Sequence, residues 1–399
     1  MGSMSRRTRL LAVYASTPLV ILVLIGGLLG AARPGAAGQQ GAEHLKVFVD
    51  VLRLTAGAYV EPPDMEKVMD GAMRGLTDGL DALSSYLPPA EVRAIDAGTP
   101  LPAADVGITL SKQYYLLVVG VRDGSPAARA GIRSGDFIRA IDDMATRDMS
   151  VHTGTRLLAG EAGSRTMLLV LRSNTPEPRP IELVRELPAA TRATARRLPG
   201  GQAYVRVSSF GPGAAEEIRT AVASLGAAAR GGVVIDLRDT ADGTPDEGIA
   251  AAKLFVKSGT VATLASRKAA PVVTTADAND GALTMPVVLL VSIGTGNAAE
   301  IFAAALADND RASLVGTPTA GLAGVQTVVR LPDGHGLLLT TARYVRADGT
   351  PIHGERLRPE VLVDMPIVGF DDAPAAGATD DALDRALEQL RTAAVPAVQ

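Results

Sequence analysis

MPVVLLVSIGTGNAAEIFAAALAD (285–308) decides the fold. MPVVLLVS is a continuous apolar run and reads as a buried strand, and NAAEIFAAALAD reads as the helix that follows it. The same alternation extends upstream. AYVRVSSF (203–210) reads as a strand, AAEEIRTAVASL (214–225) as a helix, GGVVIDLRD (231–239) as a buried strand and GIAAAKLFV (248–256) as a helix. Continuous apolar strands between amphipathic helices predict a parallel sheet covered on both faces. Downstream, VQTVVRLPDGHGLLLTTARYV (325–345) reads as a hairpin turning at Asp333-Gly334. A polar, Ala/Gly-rich loop (371–380) and a short helix from Asp381 to Leu390 close the chain.

The first half differs in kind. Residues 43–95 read as helices, with Leu45, Phe48, Val49, Leu52 and Ala56 at helical spacing, a break at Pro62-Pro63 and Asp64 as the cap of a second helix. Residues 100–186 hold short β-rich runs, VGITL, YYLLVVGV, DFIRAI and TMLLVLR, with one helical stretch near 150–158. Pro176, Pro178 and Pro180 mark a linker or a sheet edge. At the amino terminus Arg6, Arg7 and Arg9 precede an uncharged run from Leu10 to Ala32. Its length suits a membrane anchor, which takes about 20 apolar residues, with the remainder outside the cytoplasm. A cleaved signal ending near Gly35-Ala36-Ala37 is the second reading.

Composition narrows the chemistry. The 399 residues contain no cysteine, which excludes disulfide scaffolds, cysteine zinc clusters and thiol nucleophiles. Four dispersed histidines give no metal-ligand spacing, and no cofactor motif is present. A net charge of -4 and 3% aromatics give no footprint for nucleic acid. Of 39 basic residues only six are lysines (46, 67, 112, 253, 257 and 268), and none follows Lys268.

Seven stretches, in order, resemble the carboxy-terminal processing peptidases, or tail-specific proteases. They are GAMRGLTDGLDALSSYL (71–87), DGSPAARAGIRSGDFIRAID (123–142), VSSFGPGAAEEI (207–218), IDLRDTADG (235–243), GTGNAAEIFAAAL (294–306), VGTPTAGLAGVQ (315–326) and LTTARYVRADGTPIHGERLRPEV (339–361). The resemblance implies an α/β class: a crotonase- or ClpP-like core with a PDZ domain inserted ahead of it and a helical amino-terminal segment. The implied organisation is a cytoplasmic stretch 1–9, anchor or signal 10–32, linker 33–42, helical segment 43–98, PDZ domain 99–186, peptidase-like core 195–368 and tail 369–399.

In that family a serine attacks and a lysine, supported by a glutamine, takes its proton. The family's Gly-Ser-Ala-Ser-Ala-Ser-Glu, aligned on Glu300, puts Asn297 at the nucleophile. Its Pro-Thr-Phe-Gly-Lys-Gly-x-Val-Gln puts Leu322 at the lysine and Gln326 at the glutamine. The oxyanion turn, Asn-Asn-Pro-Gly-Gly in the family, is Asp239-Thr240-Ala241-Asp242-Gly243 here. A lysine acts as a base only when desolvated and partly neutral, and arginine cannot replace it because it stays protonated. With no lysine beyond Lys268, no shift of register restores the base. The expected function is therefore that of a catalytically inactive, membrane-tethered scaffold or regulatory protein that binds polypeptide C-termini or unfolded segments, or pairs with an active relative or itself. The alternative is an active envelope endopeptidase with a relocated nucleophile, Ser292 or Thr295, and His335 or His353 as base. Satisfied surface or turn histidines are the plainer reading of the last two. The family's Gly-Ile-Gly-Ile carboxylate loop implies peptide binding by Asp105, Val106, Gly107, Ile108, Thr109 and Leu110, with His152 and Thr155 on the facing helix.

Overall fold

The computed structural model describes residues 36–172, 175, 177–364, 370 and 379–394. The run 10–32 and most of the loop 371–380 lie outside them. Among the described residues no helix is long and apolar enough to cross a membrane. The chain divides into two units, Met1–Asp70 and Gly71–Gln399.

In the first unit α1 spans Ala36–Ala58, and α2 (Met65–Asp78) begins there. As expected, Asp64 caps α2: its Oδ1 accepts from Glu66 N at 3.1 Å and Lys67 N at 3.2 Å. The periodic apolar residues of α1 do not form a core face, because Leu45, Phe48 and Val49 are exposed.

The second unit takes in the rest of α2, then β1 (Ser85–Leu87) and α3 (Pro89–Asp96). The β-rich region follows: β2 (Ile108–Lys112), β3 (Leu116–Val121), α4 (Pro126–Arg129), β4 (Phe137–Ile141), β5 (Met144–Ala145), α5 (Val151–Leu158), β6 (Arg165–Leu171) and β7 (Arg179–Val184). These strands form one antiparallel sheet in the order β2-β3-β4-β6-β7, with β5 on β4. Serine caps start both helices: Ser125 Oγ accepts from Ala128 N at 3.2 Å, and Ser150 Oγ from Thr153 N at 2.9 Å. Pro180 sits in β7, an edge strand, where its missing N–H breaks no ladder. The core of this sheet includes Val106, Leu110, Leu116, Ile138, Ile141, Leu168 and Val170.

The remaining elements are β8 (Ala193–Arg197), β9 (Ala203–Val207), α6 (Ala214–Ser224), α7 (Ala227–Arg230), β10 (Val233–Asp236), α8 (Pro245–Lys253), β11 (Thr260–Ser266), β12 (Val272–Thr275), β13 (Val287–Val291), α9 (Ala298–Asp308), β14 (Ala312–Gly316), β15 (Gly324–Arg330), β16 (Gly336–Val345), β17 (Val361–Leu362) and α10 (Asp381–Ala394). The central sheet runs β17-β14-β13-β10-β9-β8 and is parallel except for the edge strand β8. Alternate residues of β10 and β13 explain their unbroken apolarity. Val233, Ile235, Leu289 and Val291 pack with α6, α8 and α9, while Val234, Val288 and Leu290 pack under Ala382, Ala386 and Leu390 of α10. Arg238 ties the end of β10 to α10 by bonding both Asp236 (2.6 Å) and Asp380 (2.8 Å).

Two findings depart from the expected elements. A second, antiparallel sheet, β1-β16-β11-β12 with β15 on β16, uses strands at 85–87, 260–266 and 272–275. Ser85–Leu87 is a strand inside a region read as helical, held by pairing with Leu338–Gly336 far along the chain. The hairpin at Asp333-Gly334 does form, with Leu331 N bonded to His335 O at 2.8 Å.

The β-rich sheet contains a nearly dry ion pair. Arg172 Nε and Nη2 bond Asp136 Oδ1 and Oδ2 at 2.7 and 2.8 Å, and the side chains are 5% and 2% exposed. Removing one partner leaves a buried charge uncompensated, so Asp136→Ala is expected to lower unfolding stability by about 3–5 kcal/mol. Chemical denaturation of the variant checks this, and a loss under about 1 kcal/mol would contradict the pairing.

Candidate functional site

Three segments converge at the amino-terminal end of α9. The first is the turn from β13 into α9. Asn297, its last residue, has φ 50° and ψ -117°, a conformation that L residues rarely adopt. Neighbouring bonds hold it there: Asn297 Nδ2 donates to Gly243 O at 3.1 Å, and Gly296 N donates to Thr240 O at 2.9 Å. Thr295 is fully buried, donating its hydroxyl to Leu237 O (2.8 Å) and accepting from Ser292 N (3.0 Å). Ser292 is also buried, and its Oγ accepts from Gly294 N at 3.0 Å.

The second segment is the turn 239–243. Gly243 has φ +124°, and a Cβ there would fall 2.3 Å from the carbonyl carbon of Phe210, so only glycine fits. Asp242 accepts from Ser209 Oγ at 3.1 Å and lies 3.7 Å from the Arg122 guanidinium. Asp239 is half-buried and hydrogen-bonded by Ser134 Oγ at 2.5 Å. Burial raises its carboxyl above the usual range against the pull of Ser134 and Arg206.

The third segment is 318–324. Leu322 is 7% exposed and packs with Val119 of β3, Ala241, Leu83 and Ala320. A Cβ added at Gly296 would stand 3.6 Å from Leu322 Cδ1, so the leucine lies directly beside the turn that carries Asn297. Gln326 turns to another partner, Thr340 Oγ1, at 3.2 Å. Thr340 in turn donates to Asp81 at 3.2 Å.

Glu300, used in the sequence only to set register, joins the first and third segments. It is fully buried and accepts from Asn297 N (3.0 Å), Gly321 N (2.6 Å), Leu322 N (2.7 Å) and the Thr319 hydroxyl. Burial pushes its carboxyl up to about 7, and the four donors oppose the rise. The signal available in sequence was its place in the first turn of a helix, where a carboxylate meets free N–H groups.

His335 sits on the β15–β16 turn, stacked on Tyr86 with ring centroids 4.9 Å apart. His353 is not a satisfied surface residue. It is buried beside Gly324, neither ring nitrogen has a hydrogen-bond partner, and Asp81 is the nearest acid at 3.9 Å. Burial depresses its basicity, Asp81 opposing, so the ring is neutral near pH 7. Among the described residues no group of three or more acidic or histidine side chains could hold a metal ion.

The second cluster is the loop before β2. Val106 and Leu110 are in the core of the β-rich sheet, Ile108 and Thr109 are half-buried, and Gly107 has φ +80°. Asp105 Oδ1 accepts from Gly107 N at 2.7 Å and pairs with Arg122. On α5, Thr155 bonds within its own helix, to Val151 O at 2.9 Å. His152 lies 3.9 Å from Glu91 of α3, and burial lowers its pKa. Thr153, absent from the expected site, bonds Glu91 at 2.6 Å.

Glu300→Ala would strand three N–H groups and a hydroxyl, and is expected to cost upwards of about 3 kcal/mol. Because the folded pKa is raised, the folded state binds more protons between about pH 4.5 and 7. The carboxyl's contribution to stability is therefore full below about 4.5 and falls as pH rises to about 7. Denaturation of wild type and Glu300→Gln across that range checks the sign. A stability difference that does not change with pH would contradict it.

Residues 201–363 match peptidase family S41, and residues 117–172 match a PDZ domain. The chain is 30% identical to a carboxy-terminal-processing protease of Bartonella bacilliformis over 82% of its own length and 77% of that protein. It is 28% identical to the carboxy-terminal processing protease CtpA of Bacillus subtilis, over 77% of this chain and 66% of that one. Among solved structures, a photosystem II D1 C-terminal processing protease matches with a TM-score of 0.65 and 28% identity, covering 80% of this chain and 88% of that one. The α/β core with its preceding PDZ sheet thus has the S41 architecture, and the chain belongs to the carboxy-terminal processing protease family.

Proposed function

We propose that this protein is a non-hydrolytic member of its family that binds polypeptide segments through its PDZ domain, as a scaffold or regulator. The observation that carries the reading is the Leu322 side chain, buried against Val119 and Ala241 beside the turn of Asn297. The family's serine and lysine correspond to these two residues. An asparagine amide forms no acyl-enzyme, and a leucine neither accepts nor donates a proton. Removing a serine-protease triad costs on the order of 10^6 in rate. The nearby hydroxyls support the same reading, because Ser292 and Thr295 are buried and bonded to backbone. Asp242 adds negative charge where an oxyanion would need positive.

A serine-reactive fluorophosphonate and an unfolded substrate, offered to the full-length protein, test the reading. Neither labelling nor cleavage above a heat-killed control is expected, and either one supports the relocated-nucleophile alternative. Leu322 acts as core rather than as a reactive position, so Leu322→Ala should cost about 2–5 kcal/mol in unfolding stability.

The uncharged run 10–32 behind three arginines supports tethering to a membrane with the rest outside the cytoplasm. Retention in the membrane fraction after an alkaline wash is expected. Release into the soluble fraction would remove the tether from the proposal.

A further inference from the structure

Among the described residues the PDZ sheet ends at β2, which pairs only with β3, and α5 packs beside it. A peptide that extends such a sheet lies along the free edge of β2, and its terminal carboxylate is caught by backbone N–H groups of the loop at one end of that strand. Here that loop is Asp105–Gly107, immediately before Ile108. Its carboxylate seat already holds a carboxylate. Asp105 Oδ1 accepts from Gly107 N at 2.7 Å, and Arg122 grips both oxygens, with Nη1 at 3.3 Å from Oδ2. The seat is rigid. Asp105 N and O bond Glu186 O and N at 3.0 and 2.9 Å, and Arg122 N bonds Gly107 O at 2.9 Å. A Cβ at Gly107 would fall 2.2 Å from Ser125 Cβ, so the loop cannot shift toward that side. Arg122, 13% exposed, is also committed on its other flank, 3.7 Å from Asp242.

We infer that Asp105 is a built-in substitute for a ligand's terminal carboxylate, so that this PDZ domain takes internal or carboxyl-neutral polypeptide segments rather than free C-termini. An incoming carboxylate would find the Gly107 N–H occupied, the Arg122 guanidinium shared between two acids, and like charges on Asp105 and Asp242. An internal segment brings no charge to the seat and needs only the strand edge of β2. The inference rests on the polypeptide-binding reading above and specifies its ligand class.

Two fluorescent peptides of identical sequence, ending in Val-Ala-Val as the free acid or as the amide, distinguish the cases with the full-length protein. Wild type should bind the amide at least as tightly as the acid. Asp105→Gly, which empties the seat and frees Arg122, should shift the ratio toward the acid by about tenfold or more. Asp105→Asn, which keeps the bond to Gly107 N but removes the charge, should shift it in the same direction by less. This second variant keeps the test decisive if the glycine variant does not fold. Preference of wild type for the acid would overturn the inference while leaving polypeptide binding intact, as would an unchanged ratio in both variants. Failure of every protein to bind either peptide would take down the polypeptide-binding reading and this inference together.

Discussion

The Glu300 carboxylate is the constraint on which the rest of the site depends. It collects the start of α9, through Asn297 N, and the segment 319–322, through two backbone N–H groups and a hydroxyl. Thr319 passes the connection on, accepting from Leu357 N at 2.9 Å while its own N–H bonds Leu357 O at 3.0 Å. Three stretches remote in sequence are thus tied to one buried carboxyl group. A buried carboxylate costs a great deal unless it is saturated with donors, and here four donors and the positive end of a helix surround it. Leu322 sits where it does because its backbone N–H is one of those donors, and the position of its side chain against Ala241 follows from that bond.

The same turn joins the core to the PDZ sheet. Val119 packs on Ala241, Ser134 bonds Asp239, and Arg206 of β9 pairs with Asp123 at 2.9 Å. The glycines at this seam have a steric reason. A Cβ at Gly120 would lie 3.0 Å from Ala241 Cβ, and one at Gly294 would lie 2.4 Å from Asp239 Oδ1. Arg122, between Asp105 and Asp242, runs along this contact and puts the loop before β2 and the turn 239–243 in electrical contact with each other.

The central sheet was legible because its physics is local. A strand covered on both faces is apolar at every position, and MPVVLLVS and GGVVIDLRD show this without any partner in view. The strand at Ser85–Leu87 was not legible, since three residues carry no period and the pairing partner is about 250 positions away. The spacing of Asn297 and Leu322 was read from motif order alone, and in the structure Leu322 lies beside Gly296, the residue before Asn297. The pairing of Asp105 with Arg122, the burial of His353 and the donors of Glu300 all depend on contacts between distant segments. In sequence Asp105, His353 and Glu300 could be singled out, but their partners and burial could not. The apolar face of α1 shows the converse: a helical period predicts a helix, but not what covers it.

The scarcity of lysine acquires a structural meaning beside these contacts. Arginine holds a carboxylate with a planar fork, and the seams of this molecule use it that way: Arg172 on Asp136, Arg238 on Asp236 and Asp380, Arg206 on Asp123, Arg122 on Asp105. A guanidinium that never loses its proton is suited to clamping and useless as a base. A lysine at this position could act as a base only with its amine desolvated and partly neutral. The position instead holds a leucine among Val119, Ala241 and Ala320. Charge in this molecule is held in fixed arginine–carboxylate pairs, and the contact around Leu322 is apolar.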